Sequence, residues 1–134
     1  MKLCLLKKDI SSIIKSDSNK VILFEGFMDF LTWREISGPT VGPSPKETSF
    51  IILNSVNQID NAKRKLLALP GIFIESYFDN DVAGRKCFES LKKDFPQAQD
   101  RSNIYEGFKD LNDMVMKSNV LSKTNFKRRD ELSM

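Results

Sequence analysis

The sequence predicts an α/β domain: a central parallel sheet of about four strands with helices on both faces. Three observations lead there. Short continuous apolar runs, Val21-Ile22-Leu23-Phe24, Phe50-Ile51-Ile52-Leu53 and Ile72-Phe73-Ile74 running on to Tyr77-Phe78, are those of strands buried on both faces. Each run is followed by a stretch with apolar residues at helical spacing. The two kinds of segment alternate in order along 134 residues, a length that one core can organise, and that order predicts right-handed crossovers and a parallel sheet.

The elements follow in turn. After the first strand and Gly26, residues 27–36 place Phe27, Phe30, Leu31, Arg34 and Ile36 at helical spacing, and Ser37-Gly38-Pro39 ends that helix. Asn54-Ser55 makes a polar turn after the second strand. Ile59, Ala62, Leu66 and Leu67 then form a helical stripe that stops before Pro70-Gly71. A helix from about Val82 to Phe95 is closed by Pro96. A short fourth strand is expected near Asn103-Ile104-Tyr105, and a last helix from about Asn112. Residues 1–18 read as an N-terminal extension, 19–118 as the domain, and 119–134 as a basic, solvated tail.

Composition removes several chemistries. The chain has no histidine and two cysteines, Cys4 and Cys87, far apart in sequence. A Cys/His zinc site, a histidine general base and a Ser-His-Asp triad are excluded within it. Any metal must be held by oxygen, which favours Mg²⁺, Mn²⁺ or Ca²⁺. The net charge of +3 is mild, but acids gathered in one site leave the remaining surface more basic than the total. No apolar run approaches the ~20 residues of a membrane span, and the opening lacks a secretory core, so the expectation is a cytoplasmic protein without membrane contact.

Acids stand at three strand ends. The first strand leads into Glu25-Gly26-Phe27-Met28-Asp29, the third into Asp79-Asn80-Asp81-Val82-Ala83-Gly84-Arg85, and the fourth into Lys109-Asp110-Leu111-Asn112-Asp113. Taken singly each has an ordinary reading: a helix N-terminal acid, a capped turn, an exposed loop. Taken together they converge at one edge of a parallel sheet, where α/β domains place their sites. Like charges so gathered cost stability unless a cation neutralises them. Asp79 and Asp81, two apart, point the same way if the backbone is extended.

These residues resemble the Toprim domain shared by bacterial-type primases, type IA and type II topoisomerases, and certain nucleases. Glu25-Gly26-Phe27-Met28-Asp29 resembles the primase Glu-Gly-aromatic-Met-Asp. Phe78-Asp79-Asn80-Asp81-Val82-Ala83-Gly84-Arg85 resembles Phe-Asp-x-Asp-x-Ala-Gly-x, and Lys109-Asp110 opens a Lys-Asp-x-Asp motif. The likeness covers about residues 20–118. Asn112 stands where that third motif has its second Asp, with Asp113 one place on, a form similar to plasmid and mobile-element primases.

The resemblance implies a Rossmann-like Toprim fold and metal-dependent nucleotidyl transfer, making primers on a single-stranded DNA template from nucleoside triphosphates. It implies Mg²⁺ or Mn²⁺ held by Asp29, Asp79, Asp81, Asp110 and Asp113, or Asn112 through its amide oxygen. It makes Glu25 the catalytic acid/base and Lys109 and Arg85 phosphate contacts. Complete primases also carry a zinc-binding module, a basic N-terminal subdomain and a helicase-binding region, so the expected partners are such domains or a replicative helicase. Nuclease or topoisomerase strand cleavage at the same acids, and a non-catalytic nucleic-acid-binding module, are the alternatives. Tyr77 and Tyr105 fall in expected strands, so neither reads as a cleavage nucleophile. A haloacid-dehalogenase reading of Phe78 to Val82 fails, because that motif follows a first strand. Trp33 reads as core, and Phe108 as a residue able to stack on a base.

Overall fold

A computed structural model describes residues 10–15, 17–37 and 48–118. In chain order its elements are β1 (Ser11–Ile13), β2 (Lys20–Phe24), α1 (Phe27–Ser37), β3 (Thr48–Ile52), α2 (Ile59–Leu67), β4 (Phe73–Tyr77), α3 (Val82–Asp94), β5 (Gln99–Asp100) and a helix over 111–118, here α4. Short 3₁₀ turns precede α2 at Val56–Gln58 and follow β5 at Ser102–Tyr105. The five strands form one sheet in the order β1-β3-β2-β4-β5. β3, β2, β4 and β5 are mutually parallel, and β1 pairs antiparallel with β3.

Strand periodicity explains the layers. Val21, Leu23, Ile51, Leu53 and Ile74 face one side, where Ala62 and Leu66 of α2 and Cys87 and Leu91 of α3 cover them. Ile22, Phe24, Phe50, Ile52 and Tyr77 face the other, under Phe30 of α1 and Leu111 of α4. Both faces are dry, which is why β2 and β3 read as unbroken apolar runs rather than alternating ones. The second face is built of rings: Phe24 stacks on Tyr77 at 5.2 Å between centroids, and Trp33 packs edge-on to Phe50 at 5.4 Å. Trp33 is therefore a core residue, as its sequence context suggested.

Two expectations need correction. The fourth parallel strand is Gln99–Asp100 and not the neighbourhood of Asn103-Ile104-Tyr105, which turns as a 3₁₀ helix. Tyr105 is fully buried there and donates its hydroxyl to the Phe78 carbonyl at 2.6 Å, a bond that an extended strand would not make. The sheet also reaches into the segment read as an extension before residue 19, because Ser11–Ile13 pairs with Phe50–Ile52. That added strand makes the sheet mixed. Cys4 and the 119–134 tail lie outside the described residues. Among the described residues no helix is long and apolar enough to cross a membrane.

The strand order sets the place of the site. β3 lies on one side of β2 and β4 on the other, and α1 and α3 cover opposite faces. Connections therefore diverge at the carboxyl ends of β2 and β4, which is where open α/β sheets have their crevice. Phe24 is level with Tyr77 in the parallel register, so Glu25 and Asp79 leave the sheet side by side.

Candidate metal centre

Three carboxylates meet at that crevice. Asp29 in the first turn of α1, Asp79 after β4 and Asp110 before α4 each place one oxygen within 4.8 Å of the others. Glu25 is adjacent: its Oε1 accepts the Asp79 backbone N–H at 3.1 Å. These four residues line a cleft of about 320 Å³ together with Gly26, Phe27, Met28, Asn54, Ser55 and Asn112.

Each acid is held by a separate local device. Asp29 is buried, and its Oδ1 accepts the Asn112 backbone N–H at 3.0 Å. Asp110 caps α4, its Oδ1 accepting the Asp113 N–H at 2.7 Å. Asp79 is positioned through its backbone: Gly84 of α3 lies so close that a Cβ on it would stand 2.1 Å from the Asp79 carbonyl oxygen. Glycine there lets the helix touch the strand end directly.

The electrostatics oppose leaving this arrangement as bare carboxylates. Burial, with the neighbouring Asp110 and Asp79 charges, pushes Asp29 up to about 7. Burial and the Glu25 and Asp110 charges push Asp79 up to about 7 as well. Glu25 is raised, chiefly by burial, against the pull of its hydrogen bond from Asp79. Among the described residues no Lys or Arg forms an ion pair with any of these four acids. Oxygen-only ligands at this spacing, with unfavourable mutual charge, suit one hard divalent cation.

The remaining candidates lie around the trio and not in it. Asp81 caps α3, accepting the Gly84 N–H at 2.7 Å, and contributes through space by raising Glu25 and Asp79. Its backbone is still extended, at φ −131° and ψ 176°, and it is the bond from the Gly84 N–H that holds its carboxylate at the start of α3. Asp113 faces outward, accepting the Lys109 backbone N–H at 3.2 Å and pairing with Lys117. Asn112 Oδ1 accepts the Thr32 hydroxyl at 2.9 Å, so that amide oxygen ties α4 to α1. Arg85 pairs with Asp100 and reaches the Asp79 carbonyl at 3.5 Å. Arg85 and Lys109 both line a second cleft of about 650 Å³, with Asn80, Ser102, Asn103, Glu106, Gly107 and Phe108. Two of its residues, Asn80 and Lys109, are the chain neighbours of Asp79 and Asp110, so the clefts adjoin.

Asn80 is the organising residue that the sequence did not reveal. Its Nδ2 points at the Ser102, Tyr105 and Phe108 carbonyls at 3.4, 3.1 and 3.1 Å, and its backbone N–H donates to the Lys109 carbonyl at 2.7 Å. One side chain thus ties the whole loop that carries Asp110 to the strand end that carries Asp79. Asn80→Ala is expected to weaken Mn²⁺ binding about tenfold, read by electron paramagnetic resonance titration, with the far-ultraviolet circular dichroism unchanged. Unchanged affinity would mean the loop holds its place without Asn80. Asn54, in a left-handed conformation at φ 64°, is the other unforeseen member of the cleft. Its place in a strand-to-helix turn was the available signal.

Comparison with known proteins agrees with this geometry. A family model described as Toprim-like matches residues 22–115, the span from β2 through α4 that carries all four acids. No curated protein and no solved structure matches the chain. Toprim domains bind divalent metal and serve nucleic-acid enzymes, among them primases, nucleases and topoisomerases. The match covers well over half of the chain, and this chain belongs to the Toprim-like family.

Proposed function

We propose that this domain is the catalytic unit of a DNA primase, joining nucleotides on a single-stranded DNA template by metal-dependent nucleotidyl transfer. The observation that carries the reading is the convergence of Asp29, Asp79 and Asp110 at the sheet's switch point with Glu25 against Asp79. The Glu25-Gly26-Phe27-Met28-Asp29 string favours primase within the family. The third motif, with Asn112 in place of an acid, favours the plasmid and mobile-element branch.

In this reading the three aspartates hold Mg²⁺ or Mn²⁺. A divalent cation held by Asp29, Asp79 and Asp110 would supply charge neutralisation at the phosphoryl group. Glu25, whose proton affinity is raised by burial, accepts the proton of the attacking hydroxyl. Lys109, exposed in the adjoining cleft, takes a triphosphate oxygen as a point charge. Arg85 adds what its Asp100 pair leaves free of its guanidinium, and also steadies Asp79 from behind. Zinc-binding and basic N-terminal primase domains, or a replicative helicase, supply template binding in trans or from a longer chain.

The test incubates the full chain with Mg²⁺, labelled nucleoside triphosphates and a single-stranded template. Short products that require both template and triphosphates are expected. Nicking of supercoiled plasmid with no triphosphate present would instead establish the nuclease reading. Tyr77 and Tyr105 are both buried, so tyrosine-mediated cleavage at these acids would draw its nucleophile from another domain.

A further inference from the structure

The first turns of α1 carry an apolar surface that the core does not use. Phe27, Met28 and Leu31 are 50%, 57% and 42% exposed, while the opposite side of the helix buries Phe30 and Thr32 and packs Trp33 on Phe24. A helix apolar on its outer face as well as its inner one signals a second contact. Scattered exposed apolar residues need no explanation, but adjacent ones on the rim of a polar cleft do. Here they are adjacent. Phe27 and Met28 line the same cleft as Asp29, Asp79 and Asp110, and Leu31 follows one turn on.

We propose that Phe27, Met28 and Leu31 form a stacking platform for unpaired nucleobases of a strand whose phosphate lies at the aspartate trio. The inference rests on the nucleic-acid reading of that site and assigns it a base-binding half. The continuity of the cleft selects the occupant. Its acidic end is suited to a cation and therefore to a phosphate, and each phosphate of a strand brings a flat, uncharged base within reach. An aromatic ring and a pliable thioether are the side chains that accept any base without reading its edge. Asn54 and Ser55 give the opposite rim polar groups. A duplex offers only stacked, inaccessible faces, so the platform selects single strands. Because the acids repel phosphate without a cation, the contribution of the platform appears only with metal present.

The test is fluorescence anisotropy with the full chain, Ca²⁺ or Mn²⁺, and two labelled oligomers of equal length. One is oligothymidylate and the other an abasic strand with the same phosphates and no bases. Oligothymidylate is expected to bind about tenfold more tightly than the abasic strand. The variant F27A/M28A is expected to lower it to the abasic level without changing Mn²⁺ affinity. Because Phe27 also touches Phe30 at 6.0 Å between centroids, Met28→Ser alone gives a milder variant whose loss should be partial. Equal metal-dependent binding of both oligomers by the unaltered chain overturns the platform while the nucleic-acid reading stands, and leaves the patch to a protein partner. Failure of both oligomers to bind with metal overturns the nucleic-acid reading and the platform with it.

Discussion

Asp79→Asn is expected to lower Mn²⁺ affinity about 100-fold or more and, at pH 8, to raise the melting temperature of the metal-free protein. The first effect follows from removing one of the three carboxylates that could hold the ion, a larger loss than that of an outer-shell partner. The second comes from the same charges. Asp79 has its proton affinity pushed up to about 7 from an ordinary 3.8, by burial first and then by Glu25 and Asp110. Its folded-state pKa is therefore higher than its unfolded one. Ionisation then costs stability, beginning near the unfolded value of about 4 and complete above about 7. Asp29 behaves alike over the same window. Asn keeps the shape of the side chain, carries no charge, and can donate toward Glu25. Relief of about 1–2 kcal/mol, allowing for solvent screening, corresponds to a rise of roughly 3–10 °C.

The pH profile separates this from general acid effects. Burial pushes Glu75 up, but its pairs with Arg101 and Lys20 outweigh it and the net direction is down. Asp100 is likewise lowered on balance by Ser102 and Arg85. Stability from these two is lost as pH falls below the usual carboxylate range, whereas Asp29 and Asp79 cost stability as pH rises from about 4 to about 7. Metal-free wild type should accordingly be most stable near pH 4–5, and Mn²⁺ should flatten the decline above it. Thermal melts of both proteins from pH 4 to 8 decide the matter. A variant no more stable than wild type at pH 8 would mean the acids are solvated enough to ionise without cost.

What the sequence disclosed and what it hid divide along a physical line. Glu25, Asp29 and Asp79 were legible because each lies a few residues from a strand end, and parallel topology does the rest, whereas Asp110 follows β5 only after the 3₁₀ turn Ser102–Tyr105 and was marked by its motif alone. β2 and β3 were legible because burial on both faces makes Val21–Phe24 and Phe50–Leu53 unbroken apolar runs, although β3 itself starts at the buried Thr48 and Ser49. β1 was not: Ser11-Ser12-Ile13 has no apolar pattern and is exposed throughout, a strand only because β3 offers it a ladder. β5 is two residues of low strand propensity beside β4, while the more strand-like Ile104-Tyr105 is drawn into a turn by the hydroxyl bond to Phe78. Asp81 and Asp113 carry the right chemistry at the right spacing, but local backbone N–H groups claim them as caps and turn acceptors. Asn80 was hidden because its partners are backbone carbonyls 22 to 28 residues away, and no side chain in the sequence marks them.

Gly84→Ala is expected to destabilise the protein and dismantle the metal centre together. Two effects compete. Ala improves helix propensity at this position by about 1 kcal/mol. Its Cβ, however, would lie 2.1 Å from the Asp79 carbonyl oxygen and 2.9 Å from the carbonyl carbon. Those are backbone atoms of a strand end that no rotamer change can move, so α3 or residue 79 must shift. Overpacking of this kind costs about 3 kcal/mol, leaving a net loss of about 2 kcal/mol and a melting temperature lower by roughly 6–10 °C. Any displacement of Asp79 opens the trio, because Asp29 is fixed separately by the Asn112 N–H and does not follow it. Mn²⁺ affinity should fall at least tenfold, comparable with losing an outer-shell partner. Ala83→Gly, one residue earlier and exposed, is the control: it costs about 1 kcal/mol of propensity and should leave Mn²⁺ affinity unchanged. If Gly84→Ala instead matched wild type in both measurements, the contact between α3 and the Asp79 carbonyl would not be what positions that carboxylate.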